Sequence, residues 1–181
     1  NGKELFYAKD GSYTYDFTYD DEVICGNTRP DLEGVIGSSL NWKGFSVSLN
    51  FRYQLGADVF NEALYSKVEN ISRSDLNRNQ DKRALYERWQ KAGDMVRFKD
   101  IANAATTPMS SRFVQEENVF TLESVYLGYE FYDGWIKKLN LSSLKFQISM
   151  RDVFRASTIR SERGIAYPFA RSIEAGLSFN F

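Results

Sequence analysis

Histidine is absent from this chain of 181 residues, and cysteine occurs once, as Cys25. Without histidine the usual zinc and iron ligand sets cannot form, and Ser-His-Asp or Cys-His catalysis is excluded within these residues. A single cysteine cannot make an internal disulfide, so we interpret Cys25 as an incidental small residue. The composition therefore gives no reason to expect a cofactor.

The chain also has no excess of either charge and no long apolar run. Its 23 basic and 24 acidic side chains nearly cancel, which argues against nucleic acid as a partner. Every apolar run falls far short of the roughly 20 residues of a membrane-spanning helix. The paired carboxylates Glu116 and Glu117 are adjacent and would face opposite sides of a strand. We therefore expect neither a helical membrane protein nor an enzyme.

Strict alternation of apolar and polar residues is the pattern that is present. In "FSVSLNFRYQL", which starts at Phe45, and in the closing "SIEAGLSFNF", which starts at Ser172, alternate residues are apolar or small. Such a period of two predicts strands with two unlike faces. A tight hairpin turn is predicted at Lys43-Gly44. The predicted strands lie near 34–42, 44–55, 119–131, 142–151 and 171–181.

Strand length and connection length decide between a soluble sheet and a membrane barrel. Strands of about ten residues suit an oblique bilayer crossing, whereas soluble strands are most often five or six residues long. Long and short connections alternate, as in outer-membrane barrels whose turns are short on the periplasmic side. The connections are 1–33, 43–44, 56–118, 132–141 and 152–170. The pattern predicts an all-β transmembrane barrel with a periplasmic C-terminus; a soluble ligand-binding β-barrel remains the alternative.

Five strands cannot close a barrel, and an open edge in lipid leaves backbone groups unpaired. We therefore expect residues 1–181 to be the C-terminal segment of a larger barrel, with 56–118 as a long extracellular loop. Helical spacing predicts two short helices in that loop. The first lies within 58–70, and the second lies within 81–94, with Leu85, Tyr86 and Trp89 on one face.

Several motifs together resemble the C-terminal barrel of SusC/RagA-type TonB-dependent outer-membrane transporters. The resemblance covers about residues 20–181. The family's RWQ-x-PGD loop corresponds to "RWQKAGD", with Ala92 in place of proline, and its N-L-F to Asp152, Val153 and Phe154. Further matching positions are Ile24, Asn27, Pro30, Trp42, Lys43, Gly44, Phe45, Tyr167, Pro168, Arg171, Gly176 and Phe181.

The resemblance implies TonB-powered import of oligosaccharides, or of peptides, across a bacterial outer membrane. It implies a barrel of about 22 strands around a plug, a SusD-like surface lipoprotein as partner, TonB as the energy source, and the barrel-assembly machinery as reader of the C-terminal aromatics Phe179 and Phe181. The plug is not expected in this chain. Among membrane proteins, the alternative is a TonB-dependent receptor for a siderophore or cobalamin.

Candidate binding residues follow from the strand phases and the loop. We expect Arg52, Gln54, Lys145 and Gln147 to face the lumen, where they could contact cargo or only hydrate the wall. Tyr86 and Trp89 could stack on sugar rings, or could instead form the buried face of their helix.

Two further groups have a recognisable chemistry. "DLNRNQD" spaces oxygen ligands as the start of a calcium loop does, but Gln80 replaces the required glycine and Tyr86 the final glutamate. These weak metal candidates are Asp75, Asn77, Asn79 and Asp81. Aromatics near the strand ends suit the membrane interface. They are Trp42, Tyr53, Tyr129, Phe131 and Trp135.

Overall fold

The computed structural model describes residues 2–160 and 171–181, and most of its regular structure is strand. The strands are β1 (Phe6–Tyr7), β2 (Tyr13–Thr14), β3 (Leu32–Trp42), β4 (Phe45–Phe60), β5 (Val114–Phe131), β6 (Ser143–Ser157) and β7 (Ser172–Asn180). The helical segments are the π-helix Leu64–Glu69, the single turns α1 (Arg83–Tyr86) and α2 (Trp135–Lys138), and the 3-10 turns Tyr19–Asp21 and Ser111–Phe113. The motif residues Tyr167 and Pro168 lie outside the described residues.

The chain divides into two compact units. The first, which we call the loop unit, comprises Asn1–Thr28 and Asp58–Gln115. The second, which we call the strand unit, comprises Arg29–Ala57 and Glu116–Phe181.

The strand unit is built on a five-stranded sheet in the order β3-β4-β5-β6-β7, so each strand is bonded to its neighbours in sequence. The β3-β4, β5-β6 and β6-β7 pairs are antiparallel. This agrees with the predicted all-β fold with short helices, and the sheet does not close into a barrel within the described residues.

Pairing register sorts the side chains of the sheet into two faces. In the middle of β6, Ile148 lies opposite Leu127 on one side and Ala175 on the other. Its neighbour Gln147 lies opposite glycines on both sides. Because successive side chains point to opposite faces, the apolar residues form one continuous face and the polar residues form the other.

The β3-β4 hairpin closes at the predicted turn. Lys43 and Gly44 both have positive φ, 45° and 88°, which is the backbone of the two-residue turn that matches strand twist. A Cβ at Gly44 would lie 2.5 Å from the carbonyl oxygen of Glu130, and the Glu130 amide donates to the Gly44 carbonyl at 2.9 Å. Glycine is therefore required here by backbone angle and by close approach.

Four of the strands, β3 to β6, are longer than the alternation indicates, and the predicted helices are shorter. β4 continues to Phe60, so Val59 and Phe60 belong to a strand and the first predicted helix is wrong at its start. Helical structure follows as the π-helix Leu64–Glu69. The second predicted helix is reduced to α1. Short helices are marginal in water, and a suitable spacing of apolar residues does not form one unless tertiary packing stabilises it.

A small apolar core holds the loop unit together. Val68 and Phe113 are fully buried, and the Phe113 ring lies 5.3 Å from the ring of Tyr65, edge to face. The buried members are Leu64, Val68, Ala84, Phe98 and Phe113, with Phe60, Tyr65 and Ile71 packed against them. The core includes residues from the π-helix, from α1 and from the 3-10 turn before β5.

Candidate functional site

The polar face of the sheet carries side chains that are bonded across strands. Arg52 Nε donates to Glu123 Oε1, and Asn50 Nδ2 donates to Ser124 Oγ at 2.9 Å. Gln54, the next polar residue of β4, donates to a carboxylate oxygen of β3 at 3.4 Å. The predicted candidates Arg52 and Gln54 are thus placed on this face, each engaged with an acidic neighbour.

The other two predicted sheet candidates, Lys145 and Gln147, meet at one tyrosine. The hydroxyl of Tyr126 donates to Gln147 Oε1 at 3.1 Å, and Lys145 Nζ lies 5.7 Å from the centre of the Tyr126 ring. Tyr126 is not among the candidates because the alternation in this strand is weak: Leu122 and Tyr126 lie on the opposite phase from Val125 and Leu127. This group offers a cation, an amide and a phenol ring to a polar solute, and Glu130 lies opposite Lys145 in the β5-β6 register.

An irregularity in β5 explains that weak phase. Glu123 and Ser124 are adjacent, yet both bond to residues on the same face of β4. The β5-β6 register shifts between Leu122 and Ser124. A bulge of this kind changes which parity of residues faces each side.

On the N-terminal side of the bulge, aromatic rings of β5 lie on the same face as the apolar residues of β4. Phe120 stacks on Phe51 with ring centres 5.4 Å apart and lies 6.2 Å from Phe154. In β5, the apolar face is therefore formed by even-numbered residues before the bulge and by odd-numbered residues after it.

Four of the five predicted interface aromatics form a belt at one end of the sheet. Tyr129 contacts Phe131 with ring centres 4.5 Å apart, and Phe131 contacts Trp135 at 5.9 Å. Trp42 lies opposite Phe45 in register, and Phe45 contacts Tyr129 at 4.4 Å.

Tyr53, the fifth interface candidate, is separate from this belt. It pairs with Gly34 of β3. A Cβ at position 34 would lie only 2.6 Å from the hydroxyl oxygen of Tyr53. The ring therefore lies over a glycine and fills the gap that the missing side chain leaves.

The C-terminal aromatics differ in their surroundings. Phe179 lies opposite Leu144 in the β6-β7 register, and Asn180 Nδ2 donates to Ser143 Oγ at 2.8 Å. Phe181 is 92% exposed. Their role in barrel assembly stays a prediction.

Tyr86 and Trp89, the loop candidates, do not share a buried helix face. Leu85 and Tyr86 are exposed, whereas Ala84 and Arg88 are buried, so the predicted buried face is wrong. The single turn α1 is too short to set an amphipathic phase. Tyr86 lies under Lys82 Nζ at 5.8 Å, and the half-buried Trp89 ring packs beside Gly2.

The weak calcium candidates have intramolecular partners. Asp75 pairs with Arg78 at 3.5 Å and accepts the Ser72 hydroxyl at 2.6 Å. Asp81 is bonded to Arg83 through both carboxylate oxygens. Asn77 and Asn79 are exposed. Within residues 2–160 and 171–181, no three His, Cys, Asp or Glu side chains gather as a metal site.

Sequence reasoning missed a group of buried charges in the loop unit. Glu69, Arg88 and Lys99 are each at least nine-tenths buried. Arg88 Nη1 donates to the Lys99 carbonyl at 2.9 Å, and burial lowers the pKa of Arg88 and of Lys99. Glu69, Arg88 and Lys99 are 11 to 30 residues apart in sequence, so no local spacing indicates the group.

No helix in the described part of the chain is long and apolar enough to cross a membrane. No protein-family model matches the chain. A curated protein, "TonB-dependent receptor P39" of Formosa agariphila, is 23% identical over 157 residues, which are 84% of this chain and 15% of the receptor.

Solved structures match almost the whole chain. Two states of the RagAB peptide importer, open-open and closed-closed, superpose on 99% of this chain at TM-scores of 0.77 and 0.76, with 18% identity. A structure of the RagAB peptide transporter matches 88% of the chain at a TM-score of 0.70. The chain spans 21% of the first of these chains.

These findings agree with the resemblance that the motifs indicated. The similar sequence belongs to a TonB-dependent receptor, and the similar fold belongs to the RagAB peptide importer. This chain is thus similar in sequence to part of a TonB-dependent receptor and similar in fold to part of the RagAB peptide importer, and it spans 15% and 21% of their respective lengths.

Proposed function

We propose that this chain is the C-terminal part of the barrel of a TonB-dependent importer in a bacterial outer membrane. The observation that carries the proposal is the match of 99% of the chain to the RagAB peptide importer. The cargo that we propose is peptide or oligosaccharide. A siderophore or cobalamin receptor is the alternative that uses the same energy source.

The exposure of the apolar face supports a membrane location. Leu40, Ile173 and Leu177 are each more than half exposed on that face, while the polar face is bonded across strands. In a barrel in lipid the apolar face is outward and the polar face is inward. A soluble sheet would need to cover the same apolar residues.

The same orientation gives the candidate residues their roles. Arg52, Gln54, Lys145 and Gln147 would line the lumen with Tyr126, and the aromatic belt would lie at the periplasmic interface together with the C-terminus. Segment 56–118 would be extracellular, where Tyr86 is exposed and available to cargo. None of these side chains is assigned chemistry beyond contact with a polar solute.

The partners follow from the same proposal. We propose a SusD-like surface lipoprotein that covers the extracellular side, TonB acting through a part of the protein outside this chain, and the barrel-assembly machinery reading Phe179 and Phe181. The RagAB complex pairs a SusC-like subunit with a SusD-like one, which supports the first of these partners.

The deciding experiment is the intact mass of the polypeptide that contains these residues, measured in detergent-extracted outer membranes. We expect a mass several-fold above 20.9 kDa, with a lipoprotein eluting in the same complex. A polypeptide of 20.9 kDa in the soluble fraction would overturn the proposal in favour of a soluble β-barrel. A large membrane polypeptide that elutes without a lipoprotein would favour the siderophore or cobalamin receptor.

Cargo is tested by uptake in cells that lack and then regain the importer. Growth on peptides or on oligosaccharides as the limiting nutrient should depend on the protein and on TonB. Substitution of Tyr126 by Ala and of Gln147 by Ala should weaken uptake, whereas Tyr132→Ala, at an exposed tyrosine outside this group, serves as the matched control.

A further inference from the structure

The loop unit contains a carboxylate that is completely buried. Glu69 has no solvent exposure. Its Oε1 accepts from Thr107 Oγ1 at 2.8 Å and from Arg112 Nη2 at 3.0 Å, and its Oε2 accepts from the Lys99 amide at 3.3 Å. Removing such a group from water is costly unless a cation and hydrogen bonds compensate.

A second carboxyl group shares the same cation. Arg112 Nη2, which bonds Glu69, also bonds Glu4 Oε1, although Glu4 is 108 residues away in sequence. The Glu4 side chain is 13% exposed. One guanidinium therefore joins the N-terminal segment, residues 2–28, to the segment 58–115.

Two further cations near the pair make their hydrogen bonds to neutral oxygens. Lys99 Nζ donates to Asn70 Oδ1 at 3.2 Å and to the carbonyl of Ala105, and the guanidinium of Arg88 donates to backbone carbonyls. The charges of Glu69 and Asp100 act on Arg88, and the charges of Glu69 and Glu4 act on Lys99. Among the described ion pairs, Arg112 is thus the cation that faces both Glu4 and Glu69.

We propose that Glu4, Glu69 and Arg112 form a proton-operated latch, which holds the N-terminal segment against the 58–115 segment while one proton is shared between the two carboxyl groups. Loss of that proton places two carboxylates on one guanidinium, where the Glu4 side chain is 13% exposed and that of Glu69 is fully buried. Like charges at such short range disfavour the closed arrangement, and Glu4 then moves toward solvent.

The directions in which the pKa values of Glu4 and Glu69 are shifted agree with this arrangement. Burial and the hydrogen bond to Glu69 raise the pKa of Glu4 to about 7, against the lowering effect of Arg112. Burial alone would raise the pKa of Glu69, but the hydrogen bond from Glu4 and the charge of Arg112 outweigh it and hold that pKa below its usual value. The shared proton therefore belongs mainly to Glu4.

The direction of the pH effect follows from linkage. Because the pKa of Glu4 is higher in the closed state than its ordinary 4.5, protonation favours closure. The stabilisation is complete below pH 4.5 and is lost as pH rises through about 7. Since the group is not wholly shielded from solvent, we expect the opening equilibrium to rise on the order of tenfold between pH 5.5 and pH 8.

The test is hydrogen exchange of the full-length protein in detergent, with labelling times scaled for the pH dependence of intrinsic exchange. We expect peptides that cover residues 2–10 and 107–113 to lose protection together as pH rises from 5.5 to 8. Glu4→Gln, which keeps a neutral hydrogen-bonding side chain, should remain protected at pH 8. Glu22→Gln, an exposed acid in the same segment, is the matched control and should behave like the parent.

Two results would overturn the latch. One is a flat protection profile in the parent between pH 5.5 and 8, which decides the question even if Glu4→Gln fails to fold. The other is an unchanged pH dependence in Glu4→Gln, which would assign the effect to another group. Neither result bears on transport, so the latch and the proposed import activity fail independently.

Discussion

The two units of this chain use their polar residues in opposite ways. In the strand unit, polar side chains such as Asn50 and Ser124 bond across neighbouring strands on a face that the alternation already marks as polar. In the loop unit, Glu69 is buried beside Arg112, which lies 43 residues away. A repeating local geometry can therefore be predicted from its period, whereas a buried ionic group depends on contacts that form only in the folded chain.

The largest expected effect concerns the core of the loop unit. Phe113→Ala removes a fully buried ring that packs against Tyr65 and should cost about 3 to 5 kcal/mol of the free energy of unfolding of this unit. Leu85→Ala, at a position that is 65% exposed, is the control and should cost less than about 0.5 kcal/mol. Hydrogen exchange of peptides within 58–115 measures both. Equal costs would mean that Leu85 is buried, as the helical spacing predicts.

The next effect separates the two faces of the sheet. Ile148→Arg puts a charge on the apolar face and should destabilise the barrel in lipid by about 2 to 4 kcal/mol near the bilayer centre. Ser149→Arg, one residue further on, puts the same charge on the polar face and should be tolerated better. Urea titration in lipid vesicles gives both values. A reversed order would show that the faces have been assigned the wrong way round.

A third comparison uses two glycines with nearly the same φ. Gly44 and Gly93 have φ of 88° and 93°, but a Cβ meets the Glu130 carbonyl only at Gly44 and has open space at Gly93. Both alanine variants carry backbone strain, on the order of 1 to 3 kcal/mol, and Gly44→Ala adds a clash. Exchange protection of the residues flanking each turn should fall further for Gly44→Ala. Equal losses would mean that the hairpin moves away from Glu130 without cost.

The smallest expected effect tests a single cross-strand bond. Tyr126→Phe removes the hydroxyl that donates to Gln147 and should cost about 0.5 to 1.5 kcal/mol, measured by urea titration. Tyr132→Phe, which removes an exposed hydroxyl bonded two residues away along the chain, should cost less. A loss at Tyr126 as large as that of Ile148→Arg would mean that the polar face holds the sheet together.

Much of the strand unit could be predicted because its structure repeats every two residues. The Lys43-Gly44 turn and the apolar phase of β6 follow from that period and from turn chemistry. The extension of β4 to Phe60 could not be predicted, because Val59 and Phe60 also fit a helical spacing and tertiary pairing decided between the two.

The loop unit was less predictable because its stability depends on distant partners. Arg88 was noticed within a motif, but its burial depends on the carbonyl groups of Glu69 and Lys99. Single-residue spacing carries no information about such contacts. The roles of Arg52, Gln54, Lys145 and Gln147 in binding cargo remain predictions for the same reason, since a ligand contact is not a local property of the strand.

The bulge at Glu123 and Ser124 has a practical consequence for comparing relatives of this protein. Strict alternation across β5 assigns residues on one side of the bulge to the wrong face, because Leu122 and Val125 occupy the same face although they differ in parity. Any score for substitutions in this strand should therefore exchange the labels of the polar and apolar faces at Glu123.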